Sequence, residues 1–212
     1  MVDNNAPLPI NLLRADLQQI LTYIPAGASV LDLGCGDGAL LQALITQKSC
    51  KALGVELDEA NVQTCMGKGL PVFHGTLEEA LADYPPQHFD FVVLNQTLQR
   101  TKLPVPVVHG MLRVGKRAIV GFPNFGHWQI RLALLLGGRM PNSPALPYHW
   151  YDTPNIHLFT IADFQALCQQ EGWAIEHWHF QVGDAWRAGE LGLQGKLANW
   201  LGTEAVFELV GK

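Results

Sequence analysis

The chain has 212 residues, 48% hydrophobic and 16% charged, with a formal net charge of −5. That composition is globular, with apolar material for one sizeable core, and it excludes a disordered or fibrous chain. No Lys/Arg run offers a footprint for nucleic acid, and the longest apolar run, 132–136, is far too short to span a bilayer. The opening MVDNNAPLPINLL lacks the basic-then-apolar order of a signal peptide. The cysteines Cys35, Cys50, Cys65 and Cys168 form no CxxC pair. They read as reduced thiols in a cytoplasmic protein.

Leu13, Leu17, Ile20, Leu21 and Ile24 recur at helical spacing and predict an N-terminal helix over about 10–24, ended by PAG. Alternating units follow. ASVLDL, KALGVEL, LPVFHG, FDFVVLNQ and KRAIVGF read as strands. Between them lie helices over ALLQALIT, EANVQTCMG, TLEEALADY and the stretch from Pro104 to Leu112. Apolar strands alternating with amphipathic helices indicate a parallel sheet covered on both faces. The rhythm breaks after Phe122. PNFGHWQIRLALLLGGRM reads as one helix ended by Gly137 and Gly138, and the stretch 140–160 holds four prolines, many aromatics and no clear period. The region of about 122–160 is therefore an ordered, aromatic-rich insert. Thr160 and Asp163 form a capping-box pattern ahead of IADFQALCQQEG. WAIEHWHF and EAVFELVGK read as the last two strands, and 184–203 between them as polar, Gly-rich and weakly helical.

The informative stretch is VLDLGCGDG at 30–38. A strand running into Gly34, Gly36 and Gly38 and then a helix gives a tight turn whose backbone a ligand can approach closely. The pattern also satisfies a loose dinucleotide fingerprint. Two carboxylates shift the choice. Asp37 stands inside the loop, where a pyrophosphate would be repelled, and Asp32 stands two residues before the first glycine. S-adenosylmethionine has no phosphate and carries two cationic groups, which these carboxylates favour. Glu56, 24 residues after Asp32, ends the second strand, where it can accept ribose hydroxyls. The competing explanation for Asp32 and Asp37 is turn capping, and for Glu56 helix-entry polarity.

With these residues in place, the chain resembles the class I S-adenosylmethionine-dependent methyltransferases and, within them, the MetW family of methionine-biosynthesis proteins. The likeness runs from about residue 10 to the C-terminus. It is carried by VLDLGCGDG, FDFVVLNQTLQ, RVGKRAIVGFPNFGHWQIRLALLLGGRMP and LPYHWYDTPNIHLFTI. The resemblance implies a Rossmann-like α/β fold in one domain over 1–212. Its sheet would be seven-stranded and mostly parallel, the last strand antiparallel, with helices on both faces. It implies S-adenosylmethionine or S-adenosylhomocysteine as the cofactor, held at Asp32, Gly34, Cys35, Gly36, Asp37, Gly38, Glu56, Leu57, Thr76, Leu77, Asn95 and Gln96. Thr76 stands where many such proteins carry an acid toward the adenine amino group; it can still donate or accept a hydrogen bond.

The resemblance also implies association with a homoserine O-acyltransferase. The protein would then support the partner's acyl transfer rather than perform methyl transfer. The alternative is a genuine small-molecule methyltransferase, with the insert as lid and His127, His149, His157 or Tyr151 as candidate catalytic groups. Those rings, and Trp150 beside them, can equally pack a lid or form an interface. An NPPY-type tetrad is absent; LNQT stands in its place. A nicotinamide enzyme is disfavoured by Asp37. No metal is expected: the pair His177 and His179 has no further ligand nearby in sequence.

Overall fold

In the computed structural model, which describes residues 13–142, 146–190 and 193–211, every strand of the alternating region forms where the apolar runs lie. A helix α1 (Ala15–Tyr23) leads into β1 (Ser29–Leu33), α2 (Ala39–Lys48), β2 (Lys51–Glu56), α3 (Glu59–Gly67) and β3 (Val72–His74). Then come α4 (Leu77–Asp83), β4 (Phe89–Asn95), a 3-10 turn (Leu98–Arg100), α5 (Pro104–Val114) and β5 (Gly115–Pro123). The C-terminal part adds α6 (Trp128–Gly137), α7 (Ile161–Glu171), β6 (Ala174–Val182), β7 (Ala185–Ala188), α8 (Leu193–Leu201) and β8 (Glu204–Val210). The expected N-terminal helix is present as α1; positions 10–12 lie outside the described residues.

The strands form one sheet in the order β3-β2-β1-β4-β5-β8-β6-β7. β1 to β5 run parallel, and β8 runs antiparallel to both β5 and β6. The sheet has eight strands, not the expected seven. The extra strand is β7, which pairs antiparallel with β6 through a two-residue Gly183-Asp184 turn with Gly183 at φ +59°. Such a turn closes a hairpin in the sense of the strand twist. Its residues fall at the start of a segment whose polarity masked four strand residues. The rest of that segment holds α8.

Side chains alternate between the faces, as strand geometry requires. Leu31, Val92, Leu94, Val120, Phe122 and Phe207 join one core with α4, α5 and α7. Val30, Phe91, Val93, Ile119 and Val206 join the other with α1 and α2. Phe207 stacks on Trp178 at 5.0 Å and on Phe122 at 5.7 Å, so three strands share one aromatic layer. All four cysteines are free and buried. Among the described residues no helix is long and apolar enough to cross a membrane.

The long helix read across 123–140 is shorter. β5 continues through Pro123, and α6 starts only at Trp128. The turn between them is fixed by Asn124, which is fully buried. Its Nδ2 donates to the carbonyls of Asn199 (3.0 Å) and Gly202 (2.8 Å). Its Oδ1 accepts from the N–H groups of Gly126 (3.0 Å) and Ile161 (3.2 Å). The N–H of Phe125 donates to the carbonyl of Phe159 at 3.3 Å, so the insert leaves and rejoins the fold at one point. Thr160 and Asp163 make the expected capping box on α7.

Candidate functional site

β1 lies between β2 and β4, and the chain leaves it toward opposite edges of the sheet. Such a reversal opens a crevice at the carboxyl ends of the strands. Here it is a cleft of about 880 Å³. Every position expected to touch the cofactor lines this cleft except Gly38. Gly38 acts from behind: at φ +79° it caps α2, and a Cβ there would stand 2.6 Å from Leu70 and 2.9 Å from the Cys65 sulfur. Gly34 has φ +70°, and a Cβ there would meet the Thr97 hydroxyl at 2.7 Å. The loop between them is held to β2, because the N–H groups of Gly34 and Cys35 both donate to the Val55 carbonyl.

Glu56 is the clasp of the site. Its Oε2 accepts from the Gly36 N–H and its Oε1 from the N–H groups of Leu57 and Asp58, all at 2.8 Å. A carboxylate offers about four lone-pair sites. One remains on Oε2 for a ligand hydroxyl, and a second hydroxyl would have to share Oε1 with backbone donors.

Asp32 is 3% exposed, and its Oδ2 has no hydrogen-bond partner among the described residues. Burial, reinforced by the nearby Glu56 charge, pushes its carboxyl up to about 7. A cation in the cleft would relieve that penalty. Asp37 is more exposed and locally engaged. Its Oδ1 accepts from the Ala39 N–H at 3.2 Å and its Oδ2 lies 3.3 Å from Lys68 Nζ, so it both caps α2 and borders the cleft.

Asn95 ends β4 and points toward α1. Its Nδ2 donates to Asp16 Oδ2 at 2.7 Å. Gly121 on β5 makes room for it: a Cβ at 121 would stand 2.1 Å from Asn95 Oδ1. Asp16, 4% exposed, also takes both arms of the Arg14 guanidinium. Burial opposes the Asp16 charge, yet Arg14 and Asn95 together hold its carboxyl below the usual range. Nearby Glu204 is pushed up to about 7 by burial and by the Asp16 charge. Arg14, Arg100 and Lys102 also line the cleft, which therefore has basic as well as acidic walls. The sequence reading missed these three. Arg14 arrives from α1 across 81 residues from Asn95, and no local pattern announces such a contact.

Thr76 lines the cleft but is committed to α4. Its hydroxyl donates to Glu79 Oε2 (2.8 Å) and accepts from the Glu79 N–H (3.2 Å). It keeps one lone pair and no free proton. Leu57 is exposed at the cleft, and Leu77 is part-buried there.

None of the candidate catalytic groups lines the cleft. His127 is buried as the cap of α6, its Nδ1 accepting from the Gln129 N–H at 3.4 Å, and burial lowers its pKa. His149 and Tyr151 stack on each other at 5.3 Å on the insert. His157 is exposed, its backbone N–H donating to the Gln99 carbonyl at 3.0 Å. His179 pairs with the Tyr23 hydroxyl at 2.5 Å. Among the described residues no group of three His, Cys, Asp or Glu side chains could hold a metal.

A family model described as methionine biosynthesis protein MetW matches residues 14–209. The bifunctional methionine biosynthesis protein MetXA/MetW of Rhodopirellula baltica is 38% identical over 167 residues, covering 74% of this chain and 27% of that protein. The ubiquinone biosynthesis O-methyltransferase of Methylococcus capsulatus is 36% identical over 112 residues, covering 50% of this chain and 46% of that one. The chain thus spans from about a quarter to about half the length of these curated relatives. Among solved structures, a SAM-dependent methyltransferase from Thermotoga maritima superposes with a TM-score of 0.66 at 19% identity, over 93% of this chain and 88% of that one. At that identity the likeness carries the fold alone. The cleft stands where the glycine loop, Glu56 and Asn95 meet, the fold is that of the class I methyltransferases, and the chain belongs to the MetW family.

Proposed function

We propose that the chain binds S-adenosylmethionine or S-adenosylhomocysteine in this cleft and supports a homoserine O-acyltransferase as its partner. The observation that carries the ligand class is Asp32: a buried carboxylate oxygen without a partner, bordering a cleft, fits a cationic ligand. The open lone pair of Glu56 suits a ribose hydroxyl. Leu57 and Leu77 offer apolar surface to a flat base, and Thr76 can accept from an amino group but not donate to a ring nitrogen. Arg14 suits a carboxylate. S-adenosylmethionine supplies a methyl group activated on a sulfonium; this chain's residues bind and orient it. Among the described residues the cleft lining holds no histidine or tyrosine to take a proton from an acceptor, and its buried acid, Asp32, is the group assigned to the cationic ligand. That favours a binding role, as does the MetXA/MetW name of a relative in which both parts share one chain. If ligand affinity differs between free and partnered protein, the ligand shifts the assembly by linkage and can report the level of the end product's derivative.

The test is homoserine O-acylation by the same organism's acyltransferase, with and without this protein and with S-adenosylmethionine present or absent. Acylation that rises with this protein supports the reading. Acylation indifferent to it, in a mixture where the two proteins do not co-elute, overturns it. The second reading, methyl transfer to a small molecule, is favoured by the similarity to an O-methyltransferase. Formation of S-adenosylhomocysteine on adding an acceptor would establish it.

A further inference from the structure

The helix α6 is sparsely anchored. It is almost wholly apolar, WQIRLALLLG, yet Ile130 is its one buried side chain. Leu135 is 80% exposed and Leu136 77%. An isolated helix of ten residues is marginal in water, and one that is apolar on all sides ordinarily lies under a cover. Leu146 packs with Ile130 of α6 at the start of the aromatic segment, which goes on to Trp150, 76% exposed and edge-on to Tyr151 at 5.6 Å, with Ile156 also exposed. Between 124 and 159 the only charged side chains are Arg131, Arg139 and Asp152. An apolar, faintly basic surface therefore sits on an otherwise acidic chain. Exposed apolar surface of this kind marks an interaction site.

The insert is joined to the cleft. The N–H groups of Ile156 and His157 donate to the Gln99 carbonyl at 2.8 and 3.0 Å. Gln99 is 2% exposed, its Nε2 donates to the Gln96 carbonyl at 2.9 Å, and Gln96 lines the cleft. Two backbone bonds and one side chain thus connect the exposed surface to a wall of the ligand site.

We infer that α6 and the aromatic segment of the insert form the docking surface for the homoserine O-acyltransferase, with Leu135, Leu136 and Trp150 at its centre. This rests on the partner reading above. The occupant is an acyltransferase because a relative carries its MetW part in one chain with a MetXA part. It is also the partner for which a connection to the ligand site has a use. The matching surface on that enzyme is aliphatic, with a carboxylate to meet Arg139. A membrane fits less well. Helices that lie on lipid carry a Lys/Arg-rich polar face, and α6 holds one arginine, Arg131, already stacked on Trp200 at 5.2 Å.

The experiment measures binding of the purified acyltransferase to wild-type protein and to the double variant Leu135→Asp, Leu136→Asp. S-adenosylmethionine affinity and far-ultraviolet circular dichroism are recorded on both. The expected result is a dissociation constant raised at least about tenfold, with S-adenosylmethionine affinity and helix content unchanged. If the double variant loses helix signal, Trp150→Ala carries the same comparison. Wild-type and variant binding the enzyme equally would overturn the surface and leave the partner reading standing. Absence of wild-type binding would overturn both. Sedimentation as a dimer, or flotation with phosphatidylglycerol vesicles, abolished by the variant while acyltransferase binding persists, would assign the surface to a second copy or a lipid instead.

Discussion

The carboxyl edge of β1–β4 and the insert after β5 are built on opposite terms. At the edge most polar groups are spoken for, and among the buried exceptions, Asp32 Oδ2, Asn95 Oδ1 and Gln99 Oε1, the charged one is Asp32, which lines the cleft with Glu56. In the insert the apolar groups are the ones left over: a leucine-rich helix stands in water on one buried anchor. The edge lacks a counter-charge and the insert lacks a counter-surface. The two kinds of incompleteness call for different partners, one small and cationic, the other large and apolar.

That contrast can be broken first at Asn124, the knot between the regions. Asn124→Ala removes four hydrogen bonds in a buried site. It should cost about 3 kcal/mol, read as a lower urea midpoint with an unchanged m-value. A loss below about 1 kcal/mol would mean the insert is held elsewhere. Gly34→Ala comes next. Its left-handed backbone and the close Thr97 hydroxyl should cost about 2 kcal/mol, and S-adenosylmethionine titration should show binding weakened well beyond tenfold.

Glu56→Ala should weaken the same ligand roughly tenfold and lower stability by about 1–2 kcal/mol, because it frees three backbone N–H groups. Affinity equal to wild type would place the ribose away from β2. The pH response sharpens the picture at the acidic wall. Asp32 and Glu204 both have folded pKa values raised to about 7. Each therefore stabilises the fold when protonated and loses that contribution as pH rises to about 7. The melting temperature should fall as pH rises from about 4, the unfolded carboxyl value, to about 7 and level off above it, and fall less in Asp32→Asn. A cationic ligand needs the ionised form, so S-adenosylmethionine affinity should rise over the same interval. A flat affinity profile would remove Asp32 from the cation site. The smallest effect belongs to the insert: Leu135→Ser should change stability by less than about 0.5 kcal/mol, since the side chain is already in solvent.

The strands, the glycine loop and Glu56 were legible because each is announced by neighbours in sequence: an apolar run, then glycines, then an acid at a fixed offset. Asn95 was legible through the family resemblance, which points to the turn after the fourth strand. Arg14 was not, because it reaches the site by the packing of α1 against the sheet. Thr76 does line the cleft, but its proton could not be followed from the sequence; the capping box with Glu79 claims it. The histidines of the insert were chosen by chemical type. Those side chains do not line the cleft, and among the described residues the backbone of the insert meets the cleft's neighbour Gln99 at Ile156 and His157. β7 was hidden because a Gly-Asp turn followed by four residues is too brief to show a period.

The hydrogen bond from Phe125 to Phe159 makes the insert a cassette. The chain departs and returns within 3.3 Å, and the small cluster of Phe125, Ile130 and Leu146 is separate from both main cores. A splice of two or three residues, each spanning up to about 3.5 Å, would bridge the gap left by removing 127–157. The excised protein should keep its sheet, while the Gln99 carbonyl beside the cleft would lose its two donors, the N–H groups of Ile156 and His157. Transplanted between relatives, the segment should carry the inferred docking surface with it.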